Sequence, residues 1–156
     1  MNIFVLDYDP KKAAKMLCDK HVVKMPLETA QLLCSAFDIG TAPYKRTHFN
    51  HPCSIWTRTS KGNFEWLVQH GLALCDEYSF RYGKTHKSRD VISWCSKNKS
   101  KIKFKSVKKT PFVLCFDKKY QIGNAVKSYR RYYQCEKRKI AKWMKNRSKP
   151  KCLFYP

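Results

Sequence analysis

The chain has 156 residues, 43% hydrophobic and 14% aromatic, with a formal net charge of +22. That length and apolar content describe one globular domain spanning residues 1–156 rather than a disordered basic tail, and no run approaches the ~18 apolar residues that cross a bilayer. The charge is uneven: residues 1–96 carry 13 Lys/Arg against 9 Asp/Glu, whereas residues 97–156 carry 20 against 2, a density that self-repels unless a polyanion relieves it and that points to nucleic acid ahead of an anionic membrane.

Met1 to Leu6 is short and apolar and reads as an extended segment. Asp9 followed by Pro10 predicts a helix N-cap with proline at the first helical position, and the spacing carries that helix to about Lys20. Pro26 disfavours helix at Met25 and suits the start of a second helix reaching Phe37. Leu27, Ala30, Leu33, Cys34 and Phe37 make its apolar face, and Glu28 lies beside that face. An acid among apolar residues in so basic a chain has two readings. It is a first-turn acid near a positive helix end, or it does chemistry on a polyanion.

Residues 38–52 form a loop by their Gly and Pro. The run Tyr44–Pro52 interleaves rings with Arg46, His48 and His51, a composition suited to bases and phosphates and equally to an ordinary surface loop. Asn50 or His51 caps a short helix from Pro52 that contains Trp56. Lys61 to about Tyr82 is the clearest helix, with a buried stripe through Phe64, Leu67, Val68, Leu74 and Cys75 and a terminating Gly83. Ser88–Lys97 is a further short helix. Lys99–Lys105 alternates basic and other residues and reads as an edge strand or a solvated loop, the loop being favoured because strand partners are few. Pro111–Phe116 is apolar and of ambiguous type. A last helix runs from near Asn124 through Trp143, with Lys127, Arg130, Arg131, Lys137, Arg138, Lys139, Lys142 and Lys145 on a phosphate-facing side. The tail Lys149–Pro156 is irregular and aromatic and folds back over the domain. The sum is a compact, mainly α-helical fold with a short extended N-terminus.

The N-terminus lacks a basic region followed by a cleavage site, so no signal peptide is expected and the eight cysteines read as reduced thiols of an intracellular protein. No Cys-x-x-Cys pair occurs. The His48–Cys53 cluster is a zinc candidate only if further ligands come from distant sequence, and no metal is assigned. There is no Gly-rich phosphate loop and no nucleophile elbow. Acids are too few for a two-metal nuclease. What remains is chemistry needing one carboxylate and an amine.

His21, six residues, then Glu28, opening a helix soon after a short extended N-terminus, resembles the pyrimidine-dimer DNA glycosylases of the endonuclease V type. Further members of that family carry Glu-x-x-x-(Leu/Ala)-x, a loop ending in His-Pro, and a long helix closing on Arg-x-Gly. Here these are Glu28–Leu33, His51-Pro52 and Arg81-Tyr82-Gly83. The likeness covers roughly residues 1–85. The run Asp19-Lys20-His21-Val22-Val23-Lys24-Met25 also looks like one in small phage and viral proteins.

The resemblance implies a DNA glycosylase with abasic-site lyase activity on damaged or modified pyrimidines in double-stranded DNA, a repair activity of a monomer without metal or small-molecule cofactor. The nucleophile is then the α-amine of Met1, expected to be retained before the bulky Asn2, and Glu28 is its acid–base partner. Candidate DNA contacts are Asn2, Lys20, His21, Lys24 and Gln31 around it, Arg46, His48 and His51 in the loop, Arg81, and Lys127, Arg130, Arg131 and Lys142. One departure stands out. The family flanks its glutamate with arginines where this chain has Leu27 and Gln31, so Lys20 and Lys24 are left to supply the charge. A non-enzymatic, architectural DNA-binding protein is the alternative.

Overall fold

The computed structural model describes residues 1–144 and 147–153. Its described residues form six α-helices and no named strand: α1 Pro10–Met16, α2 Asp19–Cys34, α3 Pro52–Thr59, α4 Lys61–Tyr82, α5 Ser88–Lys97 and α6 Ala125–Glu136. An isolated parallel bridge, Ser60 to Ser106, is the one extended pairing among them. Helix α4 is the axis, packing against α1, α2, α3 and α5.

The chain starts inside. Ile3, Phe4, Val5 and Leu6 are all buried, and each contributes roughly 1.5–3 kcal/mol by leaving water. That exceeds the roughly 1–2 kcal/mol of ordering each backbone unit, so this extended segment is fixed. Asn2 Oδ1 accepts from the backbone N–H of Ile3 at 2.7 Å and of Phe4 at 3.3 Å. The resulting turn holds Phe4 at a left-handed φ of +54°, a conformation that costs a non-glycine residue energy and persists because Asn2 over-determines it.

Asp9 Oδ1 caps α1 by accepting from Lys11 N at 2.8 Å and Lys12 N at 3.0 Å. The helix stops at Met16, short of the expected Lys20, because Leu17 and Cys18 turn extended. Cys18 donates its N–H to Tyr133 Oη at 2.9 Å, and its carbonyl starts α2 by accepting from Val22 N. Helix α2 therefore begins seven residues before Pro26 and runs through it. The proline removes the donor that would serve the Val22 carbonyl, and His86 Nε2 lies 3.0 Å from the next carbonyl, that of Val23. Glu28 is consequently a mid-helix residue, and the reading of it as a first-turn acid is overturned.

His51 caps α3 through Nδ1, which accepts from Cys53 N at 3.1 Å. Ser60 caps α4 through Asn63 N, and Gly83 closes it at φ +65°. Asn63 is buried and binds Trp56 O, Thr110 Oγ1 and Thr110 N, each at 2.8 Å. It pins the otherwise irregular 102–110 segment to the start of α4. Lys99–Lys101 is a short 3-10 turn, so the loop reading of this stretch holds. Pro111–Phe116 is irregular too. It is tied down by Trp56 Nε1 to Pro111 O and Tyr129 Oη to Val113 O, both 2.8 Å.

Helix α6 begins after Asn124 as expected but ends at Glu136. Arg138–Ile140 is a 3-10 turn, after which the chain folds back: Asp19 N donates to Lys142 O at 2.9 Å and Trp143 Nε1 to Met16 O at 3.2 Å. The expected continuous basic face is thus split over a helix, a turn and an extended segment. Lys145 lies outside the described residues. The tail does return, with Leu153 fully buried in the core. Phe154, Tyr155 and Pro156 lie outside the described residues.

Candidate active site

Helix α2 carries Glu28 into contact with the N-terminal segment. Glu28 is 9% exposed. Its Oε2 accepts from the backbone N–H of Asn2 at 3.2 Å, and its Oε1 lies 3.1 Å from Lys24 Nζ, one turn earlier on the same helix. Met1, Lys24 and Glu28 line one pocket of about 210 Å³. Covalent geometry keeps an α-amine within about 3.7 Å of the next backbone nitrogen. The Met1 amine therefore lies no more than about 7 Å from Glu28 Oε2, and the two groups face the same space.

Asn2 is 8% exposed and lines the same pocket. Besides Oδ1 at the turn, its Nδ2 donates to Cys115 O at 3.2 Å. It is a latch for the N-terminus.

His21 stands about two turns before Glu28 on α2. It is 7% exposed, stacked on Phe4 with centroids 4.4 Å apart, and its Nδ1 sits 2.8 Å from Tyr133 Oη. That hydroxyl already accepts from Cys18 N. Donating its own proton to Nδ1 satisfies every group, which places the imidazole proton on Nε2. Burial, with help from Lys137 and Lys24, pushes the His21 pKa down to about 4. The ring is neutral at pH 7, so it offers the pocket a neutral donor rather than a charge.

The opposite wall comes from residues that local sequence did not single out for the site: Phe4, Cys115, Tyr132 and Lys137. Tyr132 stacks on Phe116 at 4.7 Å and 7° and lies nearly parallel to Phe4 at 6.3 Å. Lys137 Nζ stands 5.2 Å from the Tyr132 ring and 5.8 Å from Phe4. The pocket thus joins one carboxylate to the Met1 amine and two lysines, Lys24 and Lys137, over an aromatic floor. A cleft of that sign concentrates phosphates.

His51 lies near this pocket. Partial burial, then the positive charge of the N-terminal amine and of His48, lower its pKa, while Glu28 opposes them. Cys53 and Cys115 face one another with their sulfurs 3.3 Å apart.

The remaining candidates are dispersed. Lys20 is exposed at the start of α2, and Gln31 is half-buried one turn beyond Glu28. Arg46 and His48 belong to a different surface. Arg46 donates Nη2 to Phe37 O and stacks over Phe49, which Arg58 also covers at 3.8 Å. His48 is exposed at φ +49° and holds Thr47 Oγ1 at 2.7 Å. Arg81 is corrected outright. It is 0% exposed, with Nε on Glu77 Oε1 at 2.8 Å, Nη1 on Asp19 Oδ1 at 2.9 Å and Nη2 on Lys15 O at 3.1 Å. Such a guanidinium braces α1, α2 and α4 and reaches no phosphate. Arg130 also works inward, donating Nε to Leu6 O at 2.8 Å and pairing with Asp7 at 3.3 Å. Lys127, Arg131 and Lys142 are exposed and keep their side chains for solvent or a polyanion.

A family model described as pyrimidine dimer DNA glycosylase matches residues 1–90 of this chain. Neither a curated protein nor a solved structure shows significant similarity to it. The matched stretch contains Met1, His21, Lys24 and Glu28 and ends within α5, so α6 and the wall formed by Cys115, Tyr132 and Lys137 lie beyond it.

Proposed function

Since this chain belongs to the pyrimidine dimer DNA glycosylase family, we propose that it removes a damaged or modified pyrimidine from double-stranded DNA and then cuts the abasic strand, with the Met1 amine as nucleophile and Glu28 as its acid–base partner. The observation that carries this reading is the carboxylate of Glu28, held by the N–H of the residue next to that amine and by Lys24, within a shared pocket.

The neutral amine attacks deoxyribose C1′ through its lone pair. The bond from C1′ to the base breaks, and the base leaves with that electron pair and takes up a proton. Opening of the sugar ring gives a protonated Schiff base between C1′ and the amine. Removal of a C2′ proton then expels the 3′ phosphate by β-elimination, and water releases the enzyme. An α-amine suits the first step, since its ordinary pKa of about 7.7–8 leaves a useful neutral fraction at neutral pH. Glu28 stabilises positive charge on the sugar and moves the protons. Lys24 and Lys137 bind the phosphates that flank the target, and His21 presents Nε2–H to the sugar or base. Tyr132 offers a ring on which an unstacked base can rest. Exposed Lys127, Arg131 and Lys142 add sequence-independent grip on the duplex.

Borohydride reduction on abasic-site duplex tests the proposal. The expected result is one covalent adduct per chain, mapping to the N-terminal peptide, and a loss of about 10²–10⁴ in rate for Glu28→Gln. An adduct on Lys24 or Lys137 reassigns the nucleophile. No adduct at all, with tight binding indifferent to lesions, makes the chain a non-enzymatic DNA-binding protein.

A further inference from the structure

The start of α3 and the 111–116 segment meet beside the proposed nucleophile. Ligand atoms of His51, Cys53 and Cys115 all lie within 4.8 Å of one another. His51 is the N-cap of α3 and Cys53 stands in its first turn, while Cys115 comes from 62 residues beyond Cys53 in sequence. We propose that they form a metal site of the zinc class whose occupancy blocks the Met1 amine, an effect that rests on the function proposed above.

Geometry separates this from a disulfide. Tetrahedral zinc with bonds of about 2.3 Å to sulfur holds two thiolates roughly 3.8 Å apart, whereas a disulfide needs about 2.05 Å. The sulfurs stand at 3.3 Å, so they need to open by about half an ångström to take the metal and to close by more than one to bond. Supporting contacts fix the ligand set. His51 Nδ1 accepts from Cys53 N, so Nε2 carries the ring proton in the metal-free protein; ligation through Nε2 moves that proton to Nδ1 and gives up the cap bond. The Cys53 carbonyl takes Thr57 Oγ1 at 2.7 Å, and the Cys115 carbonyl takes Asn2 Nδ2. Two thiolates and an imidazole are a donor set for zinc with one position open. Cys115 and Met1 line the same pocket, and the latch through Asn2 keeps the chain start against Cys115. The α-amine, one residue before that latch, is the group assigned to the open position. Binding releases one proton from each thiol to solvent and ties up the amine lone pair. A second sulfur pair, Cys34 and Cys95 at 3.6 Å, is buried between α2 and α5 and belongs to no such three-ligand group among the described residues. It serves as an internal control.

The test uses the full chain, reduced and stripped of metal, titrated with cobalt(II). One cobalt per chain is expected, with thiolate-to-cobalt charge transfer and tetrahedral visible bands, both displaced by zinc. Cys115→Ala and Cys53→Ala abolish the bands, while Cys34→Ala keeps them. Absence of bands in the reduced protein, or their survival in Cys115→Ala, overturns the site. Loss of two thiols to a disulfide with no metal uptake overturns it as well. Borohydride trapping is then run with and without zinc, and trapping falls by about tenfold or more when the metal binds. Unchanged trapping with zinc bound refutes the block on the amine. A metal-free protein that shows cobalt bands but never traps DNA overturns the proposed nucleophile and leaves the metal site standing.

Discussion

Acidification is expected to unfold this protein through two buried histidines. His21 and His70 are both pushed from the ordinary 6.5 down to about 4 by burial. Lys137 and Lys24 add to the shift at His21, whereas His70 is enclosed between the Trp66 ring, 5.0 Å away, and the Pro10 carbonyl at 3.0 Å. Between pH 6.5 and 4 the unfolded chain binds more protons than the folded one. Stability is therefore fully present above about 6.5, falls as the pH drops below it, and the loss is complete near 4. A shift of this size amounts to about 3 kcal/mol per histidine in full, and about 2 kcal/mol each is gone by pH 5. His51, lowered in the same direction, adds to the trend. Carboxylates, with ordinary values near 4, contribute little above pH 5, so the window from 7 to 5 isolates the imidazoles. Urea unfolding across that window is expected to lose about 4 kcal/mol, a large share of a typical 5–15 kcal/mol total. His70→Phe, similar in volume, is expected to remove about half of the slope. A flat profile between pH 7 and 5, or an unchanged slope in His70→Phe, refutes the reasoning.

Two further outcomes follow from the charges. Glu77 is buried and pairs with both Arg81 and Arg147, the latter at 2.7 and 3.0 Å. Glu77→Ala takes the partner from the buried Arg81 Nε, leaves that guanidinium only Asp19 and the Lys15 carbonyl, and is expected to cost about 3–5 kcal/mol in urea unfolding, with DNA affinity per folded molecule unchanged. A cost below about 1 kcal/mol would show that Arg81 is not held as described. Arg131→Ala and Lys127→Ala each remove an exposed cation from α6, so each is expected to lower the salt dependence of DNA binding by about one unit of slope, with stability unaltered. Equal slopes for wild type and variants would take that face off the DNA.

Local signals were readable where one turn of chain decides the outcome. Asp9-Pro10 and Gly83 marked helix ends through bonds to their immediate neighbours, and the stripe on α4 was visible because one face of a long helix is buried. Pro26 misled because the missing donor is a local cost, whereas the burial that carries α2 through it comes from α4 and α5. Glu28 and His21 were legible as a spacing, and the resemblance attached a role to them. Their surroundings were not legible. The Tyr133 hydroxyl that sets the His21 tautomer is 112 residues away, and the Cys115 carbonyl that receives Asn2 is 113 away. Arg81 looked like a surface cation because sequence does not reveal that Asp19 and Glu77 converge on it.

The pocket is assembled from two stretches of the chain. Met1, His21, Lys24 and Glu28 fall within the family-matched residues 1–90, while Cys115, Tyr132 and Lys137 come from beyond it. The two stretches are nevertheless tied to each other: Cys115 O receives Asn2 Nδ2, and Tyr133 Oη meets both Cys18 N and His21 Nδ1. A substitution within residues 111–137 therefore acts on the chain start and on the beginning of α2 as well as on the wall itself.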